Sequence, residues 1–346
     1  MTLLAVVAAF LVSAILSGVL SRYRGRLALL DTPNDRSLHS RATPRAGGLA
    51  ILAGLAAGTC LTWQQWWFPG MGAALLGLAL VAAVSFADDV RPLPAGLRFL
   101  VHFAAAILLV YVAGFDPVLH LLPGVEWAAP SWLLRIFCVL LTVWLVNLYN
   151  FMDGMDGFAG GMALIGFGTL ALLGYLAGAP AYAAAALVVA AAAGGFLPFN
   201  FPSARLFMGD VGSGSLGFLA AFFILLGERI QLFSLWMGLL VFSPFVVDAS
   251  WTLVRRALHG RIPWKAHREH FYQRLVQSGW NHRRTTLWAY ALMLKCSLLV
   301  LLASWSGRAG VQGLLLGWMA AVYLAIIAYV NARERRPLSR EKVEEV

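Results

Sequence analysis

The strongest constraint on this chain is a succession of apolar stretches, each close to the length needed to cross a lipid bilayer. A hydrocarbon core of about 30 Å takes roughly 20 helical residues. Eleven segments of that order can be read, near 2–20, 46–63, 70–87, 98–115, 131–148, 159–178, 181–197, 213–227, 232–254, 286–304 and 311–331. Lipid offers backbone groups no hydrogen-bond partners, so each span must satisfy its own. The expected fold class is therefore an all-α integral membrane protein, a bundle of about 11 transmembrane helices. Composition agrees, with 60% hydrophobic and 12% charged residues in 346. The Ala/Gly-rich seventh and eighth segments carry the weakest signal. Residues 1–331 read as a single polytopic domain and 332–346 as a charged cytoplasmic tail.

Orientation follows from the basic residues. All but four of the 26 Lys and Arg fall in alternate loops, counting Arg98 at the head of the fourth span with the loop it follows; the exceptions are Arg135, Arg229, Lys295 and Arg308. The positive-inside rule makes those loops cytoplasmic, with the N-terminus periplasmic and the C-terminus cytoplasmic. The first segment lacks a basic leader and is followed by Arg22, Arg24 and Arg26, so it reads as a first membrane helix rather than a cleaved signal. The net charge of +10 comes without a basic face on a soluble domain. That excludes nucleic acid and points to anionic membrane lipid. Cys60, Cys138 and Cys296 lie far apart in apolar segments, with no metal or redox spacing.

Polar residues at the ends of apolar segments carry the functional signal, since a membrane chain tolerates them sparingly. Asp88 and Asp89 close the third span; adjacent carboxylates repel, and a hard cation such as Mg²⁺ relieves that repulsion. NLYNFMDGMDGFAGG (147–161) sets Asp153 and Asp156 three residues apart among glycines that permit close approach. FNFPSARLFMGDVGSGSLG (199–217) places Asp210 in a glycine-rich turn before a helix, where backbone N–H groups suit a diphosphate. The first loop (31–48) holds Arg36, His39, Arg41 and Arg45, and a longer loop holds Arg255, Arg256, Lys265, His267, His270 and Arg274 among others. Each feature has a plain structural alternative: a solvated helix end, a capped turn, a helix cap, or basic topology signals. Asp248 sits seven residues before Arg255 on one helical face, where an internal ion pair is the expectation; Lys295 at mid-span has no evident role. Acidic groups, glycines and bases on one face together describe a metal-assisted phosphoryl-transfer site facing the cytoplasm.

In order over about Asp31 to Leu275, these motifs resemble those of the polyprenyl-phosphate N-acetylhexosamine-1-phosphate transferases, which include the phospho-N-acetylmuramoyl-pentapeptide transferases. The resemblance implies a bacterial inner-membrane enzyme that moves sugar-1-phosphate from a UDP-N-acetylhexosamine to undecaprenyl phosphate, releasing UMP, with Mg²⁺ (or Mn²⁺) as cofactor. A homodimer is compatible with it. It implies that Asp88, Asp89 and Asp210 are catalytic, with Asp88 deprotonating or orienting the lipid phosphate, and that Asp89, Asp210 and Asp153 form the metal site. Asn147, Asp153, Asp156, Asn200, Arg45, His270 and Arg274 would bind substrate. Where many members read HxHH, this chain has His270-Phe271-Tyr272-Gln273-Arg274-Leu275. That form resembles the O-antigen-initiating branch and its 6-deoxy sugars, N-acetylfucosamine or N-acetylquinovosamine, with N-acetylglucosamine the common alternative. A covalent aspartyl-phosphate route competes with direct displacement. The rival from another class is a transporter or lipid flippase, which would place its polar residues near mid-bilayer in related halves.

Overall fold

A computed structural model describes residues 1–22, 29–31, 42–66, 70–112, 119–127, 129–262 and 267–334. Arg24, Arg26, Arg36, His39, Arg41, Lys265 and residues 335–346 of the tail lie outside the described residues. Thirteen α-helices run in order among them: α1 Thr2–Arg22, α2 Gly47–Trp66, α3 Met71–Val90, α4 Ala95–Ile107, α5 Ser131–Met152, α6 Phe158–Leu176, α7 Pro180–Asn200, α8 Asp210–Arg229, α9 Leu235–Val241, α10 Ser243–Leu258, α11 Phe271–Gln277, α12 His282–Ser306 and α13 Ala309–Glu334. A π-helical turn, Leu108–Val112, extends α4. The remaining regular structure is two small antiparallel pairs, β1 (Leu30–Asp31) with β2 (Thr43–Pro44) and β3 (Leu119–Leu122) with β4 (Val125–Trp127).

Among the described residues nine helices are long and apolar enough to cross a membrane, so the chain is an integral membrane helical protein. The second expected span is the shorter apolar helix Gly47–Trp63. The ninth is not a straight helix: α9 and α10 meet at 85°. Hydropathy runs unbroken across that join, but Pro244 lies in the first turn of α10, where its missing N–H is harmless at a restart and would break a continuous ladder.

Helix packing follows the small residues. Ala5, Ala9, Ser13, Ser17 and Ser21 recur every four positions on α1 and are its buried face. Facing them on α2 is Gly54, where an added Cβ would stand 2.5 Å from the Ala9 carbonyl oxygen. Such small-residue seams let helices approach in the absence of a hydrophobic driving force in lipid. The axis of the bundle is α8, packed against α2, α3, α5, α6 and α9, with 94% of its span buried. At its far end Glu228 accepts from the His120 backbone N–H (2.9 Å), tying β3 to the bundle. The near end of α8 is where the motifs gather.

Candidate active site

The start of α8 is held by a side chain from α3. Asp89, 3% exposed, accepts from the Asp210 N–H (3.1 Å) and the Val211 N–H (3.0 Å), one with each carboxylate oxygen. First-turn N–H groups have no partner within their own helix, and a carboxylate there forms charge-assisted bonds along a favourable dipole. Arg45 completes the joint: Nη2 donates to the Asp89 carbonyl oxygen (2.6 Å) and Nε stands 3.6 Å from Asp89 Oδ1. The chain enters through Gly209 at φ +76°, where a Cβ would lie 2.5 Å from the Arg45 carbonyl oxygen. Phe207 donates to Pro44, and Gly47 and Gly48 donate to Phe207 and Met208. A Cβ on Gly48 would fall 2.2 Å from the Gly212 nitrogen. The end of the first loop, the end of α3 and the 205–212 segment are thus one unit. Asp89, expected among the metal ligands, and Arg45, expected on substrate, are both engaged in building it.

Asp88 points elsewhere. Its Oδ1 accepts from the Leu93 N–H and its Oδ2 from Arg98 Nη1, both at 2.6 Å. The same Nη1 lies 3.8 Å from Asp210 Oδ2, so Arg98 links two of the three expected catalytic carboxylates. Sequence reasoning passed over Arg98; the available signal was a lone guanidinium at the head of a span, ten residues beyond Asp88. A cavity of about 420 Å³ opens here, with Ser85, Arg98, His102, Asn147, Asn150 and Asp210 in its wall. Asn147 Nδ2 donates to the Val143 carbonyl (2.7 Å), and Asn150 Nδ2 donates to Ser213 Oγ (3.2 Å).

Just past α5, the Asp153 backbone N–H donates to the Asn150 carbonyl (3.2 Å), while its carboxyl makes no ion pair or hydrogen bond among the described residues. Burial, then the charges of Asp210, Asp89 and Asp156, hold its carboxyl well above the ordinary carboxylate range. Asp156 is used differently: Oδ2 accepts from the Ala204 N–H (3.0 Å), and Thr286 Oγ1 donates to the Asp156 carbonyl (2.8 Å). Asn200, 2% exposed, accepts from the Gly157 N–H (2.9 Å) and donates to the Leu206 carbonyl (3.0 Å). These two side chains clamp the 153–157 turn to the 200–206 loop; the nucleotide contacts expected of them are not what their hydrogen bonds serve.

The last wall comes from α11. His270 Nδ1 lies 3.1 Å from Asp248 Oδ1, which also accepts from the Phe271 N–H (2.9 Å). This corrects the expected Asp248–Arg255 pair: Arg255 instead meets Glu334, 3.1 Å away on α13. The His270 ring lies near parallel to the rings of Phe151 and Tyr272, with centroids 6.5 and 5.9 Å away. Neighbouring His267 is pushed down to about 4 by burial, then by His270 and Arg256. Tyr272 donates to the Phe151 carbonyl (3.3 Å) and fills the space at Gly154, while Gln273 accepts from the His270 N–H (3.3 Å) as part of a capping box. Arg274 is not brought to the carboxylates: Nη2 donates to Asn331 (2.7 Å) and Glu334 (2.5 Å) on α13.

Five carboxylates, Asp88, Asp89, Asp153, Asp156 and Asp210, therefore crowd one end of the bundle; among the described residues Arg45 meets Asp89, Arg98 meets Asp88 and Asp210, and His282 stands 3.7 Å from Asp156. No three His, Cys, Asp or Glu side chains among the described residues stand close enough to hold an ion by themselves. Excess negative charge with an incomplete ligand set suits a hard divalent cation of the Mg²⁺ kind, which commonly binds through one or two carboxylates plus substrate phosphates. Asp210 and Asp153 are the carboxylates with capacity to spare.

Comparison with known proteins agrees in extent and kind. The profile of glycosyl transferase family 4 matches residues 71–228. A probable undecaprenyl-phosphate N-acetylglucosaminyl 1-phosphate transferase of Bacillus subtilis is 31% identical over 296 residues, covering 83% of this chain and 82% of its own. A decaprenyl-phosphate N-acetylglucosaminephosphotransferase of Mycolicibacterium smegmatis is 33% identical over 299 residues, 77% and 73% of the two chains. A phospho-N-acetylmuramoyl-pentapeptide-transferase of Geobacillus thermodenitrificans is 27% identical over 313 residues, 84% and 94% of the two chains. Similarity that spans most of the chain and includes every carboxylate of the site places this protein in glycosyl transferase family 4.

Proposed function

We propose that the protein transfers N-acetylhexosamine-1-phosphate from a UDP-sugar to undecaprenyl phosphate, releasing UMP and starting a cell-surface glycan of O-antigen type. The observation that carries this reading is the joint of Asp88, Arg98 and Asp210 at the mouth of an open cavity, at the end of a membrane bundle. Names of the relatives support the reaction class, and the concentration of Arg and Lys on the same side supports a cytoplasmic site in the bacterial inner membrane.

In this reaction an oxygen of the lipid phosphate attacks the sugar-bearing phosphorus of the UDP-sugar. The bond to UMP breaks and a lipid diphosphate sugar forms. A lipid phosphate is already an anionic nucleophile, so position matters more than activation. Asp88, bonded to Arg98 and Leu93, orients the guanidinium, and Arg98 presents its remaining N–H groups to the acceptor phosphate. Asp210 and Asp153 would hold Mg²⁺, which supplies charge stabilisation for the diphosphate and the leaving UMP. Asp89 and Arg45 fix Asp210, while Asp156 and Asn200 fix the turn that carries Asp153. Direct displacement is favoured over an aspartyl-phosphate because Asp88 is already engaged by two donors.

For the sugar, the inward-facing roles of Tyr272 and Gln273 weaken the argument for a 6-deoxy donor, and N-acetylglucosamine takes equal place beside N-acetylfucosamine and N-acetylquinovosamine. UMP release by purified protein with Mg²⁺ and a panel of UDP-N-acetyl sugars tests the whole reading. Asp210→Asn should abolish release while the protein still inserts, and release that persists unchanged would overturn the site.

A further inference from the structure

A second cavity, about 640 Å³, lies among α10, α11, α12 and α13, on the far side of α10's carboxylate Asp248. It is a groove of aromatic and aliphatic side chains, among them Trp280, Trp288, Ala289 and Tyr329, with two cations on its length, Arg284 and Lys295. Arg284 lies near the start of α12, the end at which Thr286 meets Asp156, and so belongs to the face of the bundle that carries the carboxylates. Lys295 is eleven residues further along the helix, roughly 17 Å at the helical rise. That matches one leaflet of a hydrocarbon core of about 30 Å. Trp280, Trp288 and Tyr329 sit at the shallow end, where aromatic rings settle at a membrane interface.

The charges give the groove a polarity. Arg284 sets its guanidinium carbon 4.1 Å from the centre of the Trp280 ring, a cation–π contact that leaves guanidinium N–H groups for an oxyanion. Neither Arg283 nor Arg284 has a carboxylate partner among the described residues. Lys295 lines the groove with its stem and sets its ammonium 5.2 Å over the Trp318 ring, giving that mid-membrane cation an aromatic partner. We infer that this groove binds a phospholipid with an anionic headgroup, seating one acyl chain along α12 and α13 with its phosphate on Arg284. Phe158, Asp248 and Tyr272 line the groove from the side that holds His270 and the 153–157 turn. A lipid seated there braces the wall of the active site from behind.

The test reads binding, and so stands or falls apart from the proposed reaction. Full-length protein is equilibrated with phosphatidylglycerol or phosphatidylcholine in detergent, and retained lipid is counted by native mass spectrometry. Wild type should retain phosphatidylglycerol roughly tenfold better, the effect of about one charged hydrogen bond. Arg284→Gln, an exposed position, should bring the two lipids level. Ala289→Trp, which fills the groove, should lose both. Equal retention by wild type, or an unchanged preference in Arg284→Gln, overturns the inference. So does displacement of bound lipid by a polyprenyl phosphate but not by fresh phosphatidylglycerol, which would make the groove an acceptor site.

Discussion

Asp89→Asn separates a helix cap from a metal ligand. In the native joint each Asp89 oxygen accepts one N–H from the first turn of α8. An amide retains one acceptor and turns an NH₂ towards the other donor, so one charge-assisted bond is lost, worth about 1.5–3 kcal/mol. Loss of the charge at the helix N-terminus adds up to about 1 kcal/mol. The expected result is a fall in thermal midpoint on the order of 5 °C. Asp210 moves with the helix start, and displacement by about 1 Å can cost about 100-fold in rate. Asp210→Asn should behave in the opposite way: activity is lost, yet the midpoint holds or rises because a like charge beside Asp153 has gone. Both midpoints can be read by tryptophan fluorescence in detergent, with and without Mg²⁺, alongside UMP release. If Asp89→Asn keeps its midpoint but loses the stabilisation given by Mg²⁺, Asp89 is a ligand and the capping argument fails.

Three further outcomes follow from the geometry. Arg98→Ala should lower UMP release by about 10²–10³, with Arg98→Lys partly active because it restores the charge without the fork; equal activity in both would remove Arg98 from the site. Asp153 has a folded pKa above its ordinary 3.8, so the folded state keeps a proton that the unfolded chain releases. Its contribution therefore makes the protein less stable as pH climbs from about 4, and thermal scans should show Mg²⁺ flattening that fall; a midpoint that ignores both pH and Mg²⁺ refutes the charge argument. Tyr272→Phe removes a 3.3 Å hydrogen bond to the Phe151 carbonyl, about 1 kcal/mol at most, and the order of preference among UDP-sugars should not change; a reordered panel would return Tyr272 to the sugar pocket.

What could be read from the sequence divides along a physical line. Spans were legible because lipid imposes a length and a hydropathy on every helix: within the described residues the expected segments fall on helices or on the α9–α10 pair, and nine of those helices are long and apolar enough to cross a membrane. The break at Phe242 was hidden, since the apolar run continues through it and Pro244 is tolerable in a first turn. Asp210 opens α8 three residues before the expected start because its cap, Asp89, lies 121 residues earlier in the chain. Local pattern contains no trace of such a partner. The same applies to Arg274, whose partners Asn331 and Glu334 stand on α13, which runs into the segment expected to be a charged tail. The motifs lie together at one end of the bundle, and several of their polar residues spend their hydrogen bonds on neighbouring backbone. A buried polar group must first be satisfied, and at a helix junction in a membrane the cheapest partner is a neighbouring backbone. Asp89, Asp156 and Asn200 meet that demand, and by doing so they hold Asp210 and Asp153 where, among the described residues, Arg98 reaches Asp210 at 3.8 Å and no cation pairs with Asp153. The carboxylates left in excess are the ones a phosphate-bound cation can use.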